Sequence, residues 1–105
     1  MMILVNTDYI SGKTIETIQL VKGSTIQSKN IGKDILVALK TLVGGELTSY
    51  NEMMNTARAL ATKRMVEEAI SLGADGVVNI KYSSASVMSN AAEVMCWGTA
   101  VRFKD

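Results

Sequence analysis

Residues 28–50 read SKNIGKDILVALKTLVGGELTSY, and this stretch decides the architecture that the sequence predicts. Its middle is almost wholly apolar, and at helical spacing the apolar side chains cover roughly 160° of the helix circumference. Ser28 and Asn30 are residue types that cap a helix start, and Gly44 is a typical helix stop. The stretch therefore predicts a helix, a double-glycine stop, a short polar link and the start of a second helix.

The second helix is predicted over residues 49–72, with a capping-box pattern at Ser49 and Glu52 and a closing Gly73. Its apolar side chains fall on two adjacent stripes, which is more apolar surface than packing on one sheet needs. The first stripe holds Met54, Ala61, Met65, Ala69 and Leu72, and the second holds Ala59, Val66 and Ile70. This pattern predicts two packing contacts, of which one is suited to another chain.

Charged residues on this helix have two interpretations. Arg58 falls inside the first apolar stripe, and a buried arginine must be paired or hydrogen-bonded. We therefore hypothesise that Arg58 pairs across a subunit boundary. The i,i+4 pairs Lys63/Glu67 and Arg64/Glu68 are interpreted as a solvated helix face, because such pairs contribute little to stability.

The remaining pattern is that of β-strands. Strand composition is found at residues 3–5, 14–21, 76–83 and 92–104. Residues 22–24 are predicted to bend the second strand before residues 25–27 resume it, and residues 85–90 are predicted as a loop. The last two strands are expected to form an antiparallel hairpin.

The last strand has two different faces. The small residues Cys96, Gly98 and Ala100 share a face that suits packing beneath a helix. The opposite face carries Glu93, Met95, Trp97, Thr99, Val101 and Phe103. We expect its large apolar side chains to be exposed in a monomer, and an exposed patch of that kind usually marks an interface.

Composition limits the class of protein. The 105 residues predict one domain over residues 1–105, and 48% hydrophobic residues in so short a chain favour an oligomer. The net charge of +1 is scattered and aromatic residues are few, so we expect no nucleic-acid partner. A single cysteine, no signal-peptide pattern and no apolar run of membrane-spanning length predict a cytoplasmic protein without a membrane span.

The chemistry available to the chain is restricted. It has no histidine, which removes the common catalytic triads and histidine-based zinc sites. The segment GSTIQSKNIGK at residues 23–33 fails as a P-loop, because Ser28 replaces the second glycine. These exclusions predict a protein that is not an enzyme. The alternative is an enzyme whose site lies at subunit boundaries and uses Arg58, Glu46 and Tyr50.

Several short motifs together resemble one family. The chain carries NIGKDI at 30–35, GGE at 44–46, AR at 57–58, LGADGV at 72–77 and GTA at 98–100. In order and spacing these resemble the YbjQ-like family, small bacterial proteins of unknown function labelled "putative heavy-metal-binding". The residues that match its motifs include Asn30, Gly32, Asp34, Gly44, Gly45, Glu46, Tyr50 and Arg58. The resemblance implies an α+β, dodecin-like two-layer subunit, an antiparallel sheet with helices on one face, assembling as a ring-shaped homopentamer.

The resulting functional prediction is a homo-oligomeric small-ligand-binding or scaffold protein whose partner is itself. The alternative is a heavy-metal-binding module. With one cysteine and no histidine, a single chain offers poor ligands for a soft metal ion. Cyclic symmetry would multiply a lone aspartate, glutamate or Cys96 into a site at the ring axis or at subunit boundaries. Cys96 is the candidate metal ligand, and a metal ion is the candidate cofactor.

Overall fold

The fold is α+β, and in the residues that the structure describes one helix packs on one face of a four-stranded sheet. The computed structural model describes residues 1–28, 45–88 and 91–104. The elements in chain order are β1 (Ile3–Leu4), β2 (Ile15–Ser28), α1 (Gly45–Ser71), β3 (Gly76–Met88) and β4 (Ala91–Phe103). The strand order in the sheet is β1-β3-β4-β2. The helix predicted over residues 31–43 lies outside the described residues, as do Asn30, Gly32, Asp34 and Gly44.

The three long strands are antiparallel, which confirms the predicted hairpin of β3 and β4. The prediction of a wholly antiparallel sheet was wrong at one edge. There, β1 pairs in parallel with the start of β3, with Ile3 opposite Gly76 and Leu4 opposite Val77. Only two residues of each strand pair in this way, so the N-terminal segment extends the sheet without forming a full additional strand.

The strand bounds differ from the prediction in two places. β2 runs without interruption through residues 22–24, and its irregularity lies between Thr17 and Gln19 instead. β3 continues to Met88, so residues 85–88 belong to the strand and not to the predicted loop. Ala85 and Ser86 pair with Glu93 and Ala92, and this ladder outweighs the polar composition of the segment.

α1 begins at Gly45, so the capping-box pattern at Ser49 lies inside the helix and does not mark its start. Its end is as predicted, because Gly73 follows it with a φ of 75°. The first apolar stripe is confirmed at Met54, Ala61, Met65 and Ala69, which are buried, while Leu72 is partly buried. Ala57, which was not assigned to the stripe, is fully buried too and completes a row at every fourth residue. Within the described ranges, no helix has the long uncharged apolar stretch needed to cross a membrane.

The helix packs on the face of β2 and β4 that carries their small residues. Val21, Val94, Cys96 and Ala100 are buried against α1, as the alternation in β4 predicted. Gly23 lies directly beneath the helix, where a Cβ would overlap the backbone carbonyl oxygen of Ala61. Glycine is therefore required at this position for close contact with the helix and does not bend the strand.

The sheet face opposite α1 is called the outer face below, and among the described residues it is covered at one end only. A second apolar cluster there joins Ile10 from the N-terminal segment to Val78 and Val101, which are 3% and 1% exposed. Phe103 packs against the same cluster. The expectation of an exposed side chain was therefore wrong for Val101, because the N-terminal segment packs over it, whereas Phe103 is partly buried. Met95 and Trp97, farther along β4, remain partly exposed.

Candidate functional site

A β-bulge in β3 determines which side chains reach the open part of the outer face. Val78 lies opposite Thr99, but the next paired residues are Lys81 and Trp97, so β3 contributes one residue more than β4. Asn79, within the bulge, has a φ of 56°, a left-handed conformation that asparagine tolerates better than most residues. Without the extra residue Ile80 would face Trp97. The bulge instead places Lys81 there.

The result is a row of three side chains across the sheet, Lys22 on β2, Trp97 on β4 and Lys81 on β3. Trp97 is register partner to both lysines, and directly opposed residues of antiparallel strands project from the same face. Both lysines are exposed, whereas the indole between them is partly buried. Strand spacing sets the two lysine Cα atoms about 10 Å apart.

The next row along the same face is also polar at its two ends. Ser24 and Ser83 flank Met95, and both serines are exposed. The two rows form a patch with an apolar centre, two ammonium groups and two hydroxyl groups. We call Lys22, Trp97, Lys81, Ser24, Met95 and Ser83 the tryptophan patch.

The tryptophan patch is electropositive. Within the described ranges, the side chains of Lys22 and Lys81 form no ion pair with a carboxylate. Glu93 is the carboxylate of β4 on this face, and it lies four positions before Trp97, about 13 Å along a strand. A second carboxylate, Glu68, lies at the edge of β2, where its Oε1 accepts from the Lys22 backbone N–H. An anion placed over the indole would therefore meet two ammonium groups, with the Glu68 carboxylate on the far side of the β2 backbone.

Sequence patterns did not identify this patch. Lys22 was assigned to a bend, and simple alternation along β3 would have put Lys81 on the wrong face. The available signal was Asn79, a residue that strands disfavour, within the β-branched run VVNI. Asparagine at such a position is compatible with a bulge in which one residue adopts a positive φ.

Cys96, the candidate metal ligand, lies beneath α1 on the other face of the sheet and is fully buried. Desolvation raises the pKa of its thiol, and hydrogen bonds with the Gly23 backbone and the Thr62 hydroxyl offset part of that rise. A protonated thiol is a poor metal ligand. In the part of the chain that the structure describes, no three His, Cys, Asp or Glu side chains converge. These residues do not fit a heavy-metal site within one subunit.

Arg58 is exposed, so its predicted burial was wrong for the single chain. Burial follows the row at positions 57, 61, 65 and 69, which leaves Arg58 beside the contact with the sheet. Its guanidinium donates to the side-chain oxygen of Asn55 at 2.6 Å. Gly45, Glu46 and Tyr50 lie in the first two turns of α1. The pairing of Arg58 across a subunit boundary stays a prediction.

Arg64 and Glu68 do more than the predicted solvated face implies. The backbone N–H of Lys22 donates to Glu68 Oε1 at 2.9 Å, and Arg64 Nη1 donates to the Ser24 carbonyl at 2.6 Å. Because β2 is an edge strand, these bonds occupy two backbone groups that no neighbouring strand reaches. Lys63, Arg64 and Glu67 are exposed as expected and Glu68 is partly exposed, so what was not predicted is the pair of bonds to β2.

Comparison with known proteins covers nearly the whole chain. Residues 2–104 match the YbjQ family model, which is described as "Putative heavy-metal-binding". A UPF0145 protein of Clostridium novyi (strain NT) is 71% identical over 96% of this chain and 98% of its own length. One from Pseudothermotoga lettingae is 52% identical, with 98% of both chains covered.

A solved structure shows the same fold. It is the crystal structure of a protein of unknown function of the DUF74 family from Pediococcus pentosaceus ATCC 25745. Its TM-score is 0.72 with 16% sequence identity, and the likeness covers 98% of each chain. The family model and the relatives confirm the resemblance read from the motifs, and the chain belongs to the YbjQ-like, or UPF0145, family.

Proposed function

We propose that this protein is a non-enzymatic, homo-oligomeric small-ligand-binding or scaffold protein of the cytoplasm. The proposed assembly is a dodecin-like ring of five subunits, as the family resemblance implies. The observation that carries the proposal is the apolar surface left open on one subunit. On the outward side of α1, Ile70 is 60% exposed, and Ala59 on the same helical stripe is exposed.

The shape of the subunit supports assembly. The radius of gyration is 17.1 Å and the extents are 56 × 22 × 19 Å. A compact chain of this length has a radius of gyration of about 13 Å. Within the described residues, a subunit so elongated leaves the outward side of α1 open, and burial against neighbouring copies would cover it.

The candidate contact between copies is the second helical stripe, in which Ala59 and Ile70 are exposed and Val66 is partly exposed. The predicted second contact of α1 would thus join one subunit's helix to another chain.

Native mass spectrometry of untagged protein tests the assembly directly. We expect a mass of five subunits, and expect Ile70→Glu to shift the population toward smaller species. Lys63→Glu, an exposed position on the same helix, is the matched control and should leave the mass unchanged. A wild-type protein that remains monomeric at micromolar concentration would contradict the proposal.

The second candidate is a heavy-metal-binding module, and the description of the matching family model favours it. Since Cys96 is buried, such a site would have to use carboxylates contributed by several copies. Elemental analysis of untagged protein should then find a stoichiometric metal, and zinc, copper or nickel should raise the Tm. A metal-free protein whose Tm none of these ions changes would rule this candidate out.

A further inference from the structure

We propose that the tryptophan patch binds a small anionic aromatic ligand of the nucleoside monophosphate type. In this arrangement the ring system stacks on Trp97 and the phosphate lies between Lys22 and Lys81. The inference deepens the proposed function, because it rests on small-ligand binding and names the chemical class of the ligand.

The centre of the patch is suited to a flat ring. The indole of Trp97 is partly exposed and projects from the middle strand of the three long ones, with Met95 beside it on the same face. An aromatic ligand gains stacking energy on such a surface, and the polarisable sulfur of methionine adds to the contact. Stacking does not discriminate strongly among bases, so the ring system is specified by class only.

The two sides of the patch are suited to an anion. Lys22 and Lys81 flank the indole, and their side chains are exposed and form no ion pair within the described residues. Flexible lysine side chains from both sides can converge on one phosphate above the ring. The hydroxyl groups of Ser24 and Ser83, one row away, can each donate a hydrogen bond to phosphate or sugar oxygens.

The surroundings of the patch favour a single nucleotide over a nucleic-acid strand as the ligand. Leu20 and Ile26 lie on β2 at either side of Lys22 and Ser24 on this face, and the carboxylate of Glu93 lies beyond Met95. Toward the other end, the cluster around Ile10 covers the sheet. A nucleic-acid strand needs a continuous track of cations and stacking surfaces, and this patch provides one stacking surface with two cations.

Trp97 is the only tryptophan in the chain, so its fluorescence reports on this site alone. Titration with adenosine monophosphate is expected to quench the emission with a saturable curve. Adenosine, which lacks the phosphate, should bind at least about tenfold more weakly. Inorganic phosphate should compete with the nucleotide without strongly quenching the fluorescence. Near 1 M salt the quenching by the nucleotide should weaken markedly, because the attraction is between exposed charges.

Variants separate the two parts of the proposal. Lys22→Ala and Lys81→Ala should each weaken binding about threefold to tenfold, whereas Lys63→Ala, on the exposed side of α1, should not. Trp97→Leu removes the stacking surface and should weaken binding at least about tenfold by calorimetry. Circular dichroism of each variant establishes that the fold is retained.

Three results would overturn the proposal. The first is quenching that rises linearly with nucleotide, and the second is equal binding by the lysine variants and the Lys63→Ala control. The third is an indole that iodide cannot reach in the assembled protein, since a second copy would then cover the patch. Native mass spectrometry on the same sample reports the assembly independently, so failure of ligand binding and failure of the proposed oligomer are distinguishable.

Discussion

The carbonyl oxygen of Ala61 on α1 occupies the space that a Cβ on Gly23 of β2 would need. The backbone nitrogen of Met65 crowds the same point from the next turn. Helix and strand therefore meet backbone to backbone, and Ala61 fits this contact because its side chain is small. Cys96 lies beside Gly23 in the register, so the same contact closes over the thiol.

Gly23→Ala should strongly destabilise the fold. The added methyl group meets backbone atoms, which cannot rotate away as a side chain can, so α1 must shift from the sheet. We expect a loss of about 3 kcal/mol in the free energy of unfolding, measured by urea denaturation. Ser24→Ala, one residue along on the exposed face, is the control, and a similar loss there would show that the effect is not specific to the helix contact.

Asn79→Val should cost about 1–3 kcal/mol, because a β-branched residue strains the backbone at positive φ. Asn79→Gly should change the free energy of unfolding very little, because glycine adopts a positive φ without strain. Thermal unfolding of both variants measures the difference. If valine were tolerated as well as glycine, the bulge would not depend on the left-handed conformation of this residue.

Glu68→Ala should speed hydrogen exchange at one backbone amide. The Lys22 N–H donates to the Glu68 carboxylate, and at the sheet edge it has no strand partner to replace it. We expect protection of this amide to fall about fivefold or more, from a net hydrogen-bond contribution of about 1 kcal/mol. Glu67→Ala changes a neighbouring exposed carboxylate and should leave the Lys22 amide unaffected. Equal exchange in the two variants would refute the role of Glu68.

Ile10→Ala should cost about 2 kcal/mol or more, because Ile10 is 8% exposed and packs on Val78 and Val101. Leu4→Ala removes a side chain that is 40% exposed and should cost much less. Denaturant midpoints provide the comparison. Similar losses at both positions would mean that Ile10 does not hold the N-terminal segment on the sheet.

Stability should fall in mildly alkaline solution because of Cys96. Burial raises the pKa of this thiol in the folded state, so the unfolded chain releases its proton first as the pH rises. The contribution is fully present below about pH 8.5, the unfolded value, and is lost above it. We therefore expect the stability advantage of wild type over Cys96→Ala to shrink above that pH. A difference independent of pH would contradict the assignment.

Hydrophobic periodicity correctly predicted the features that depend on a single helix or strand, namely which of its faces is buried. The alternation in β4 correctly placed Cys96 and Ala100 beneath the helix, and the stripe through Ala61 and Met65 correctly gave the packed side of α1. Arg58 was wrongly predicted to be buried because the prediction assumed a straight apolar stripe along the helix. The residues that contact the sheet are four positions apart, and such a row winds slowly around the helix axis.

What the sequence did not predict depends on contacts between distant segments. The parallel pairing of Ile3 with Gly76 and the cover that Ile10 places on Val101 depend on where the N-terminal segment lies. The tryptophan patch needs the Asn79 bulge, since one extra residue changes the face of every side chain after it. No pattern within one strand reveals which residue is unpaired.

The hydrogen bonds from Arg64 and Glu68 occupy backbone groups on the free edge of β2. Before a strand of another subunit can pair with β2 here, the Lys22 amide and the Ser24 carbonyl must break their hydrogen bonds with the subunit's own helix. Joining there is therefore an exchange of partners with little net gain in hydrogen bonding. Strand pairing at this edge would therefore add little to the stability of an assembly. Stable association between copies has to come from apolar surfaces away from this edge.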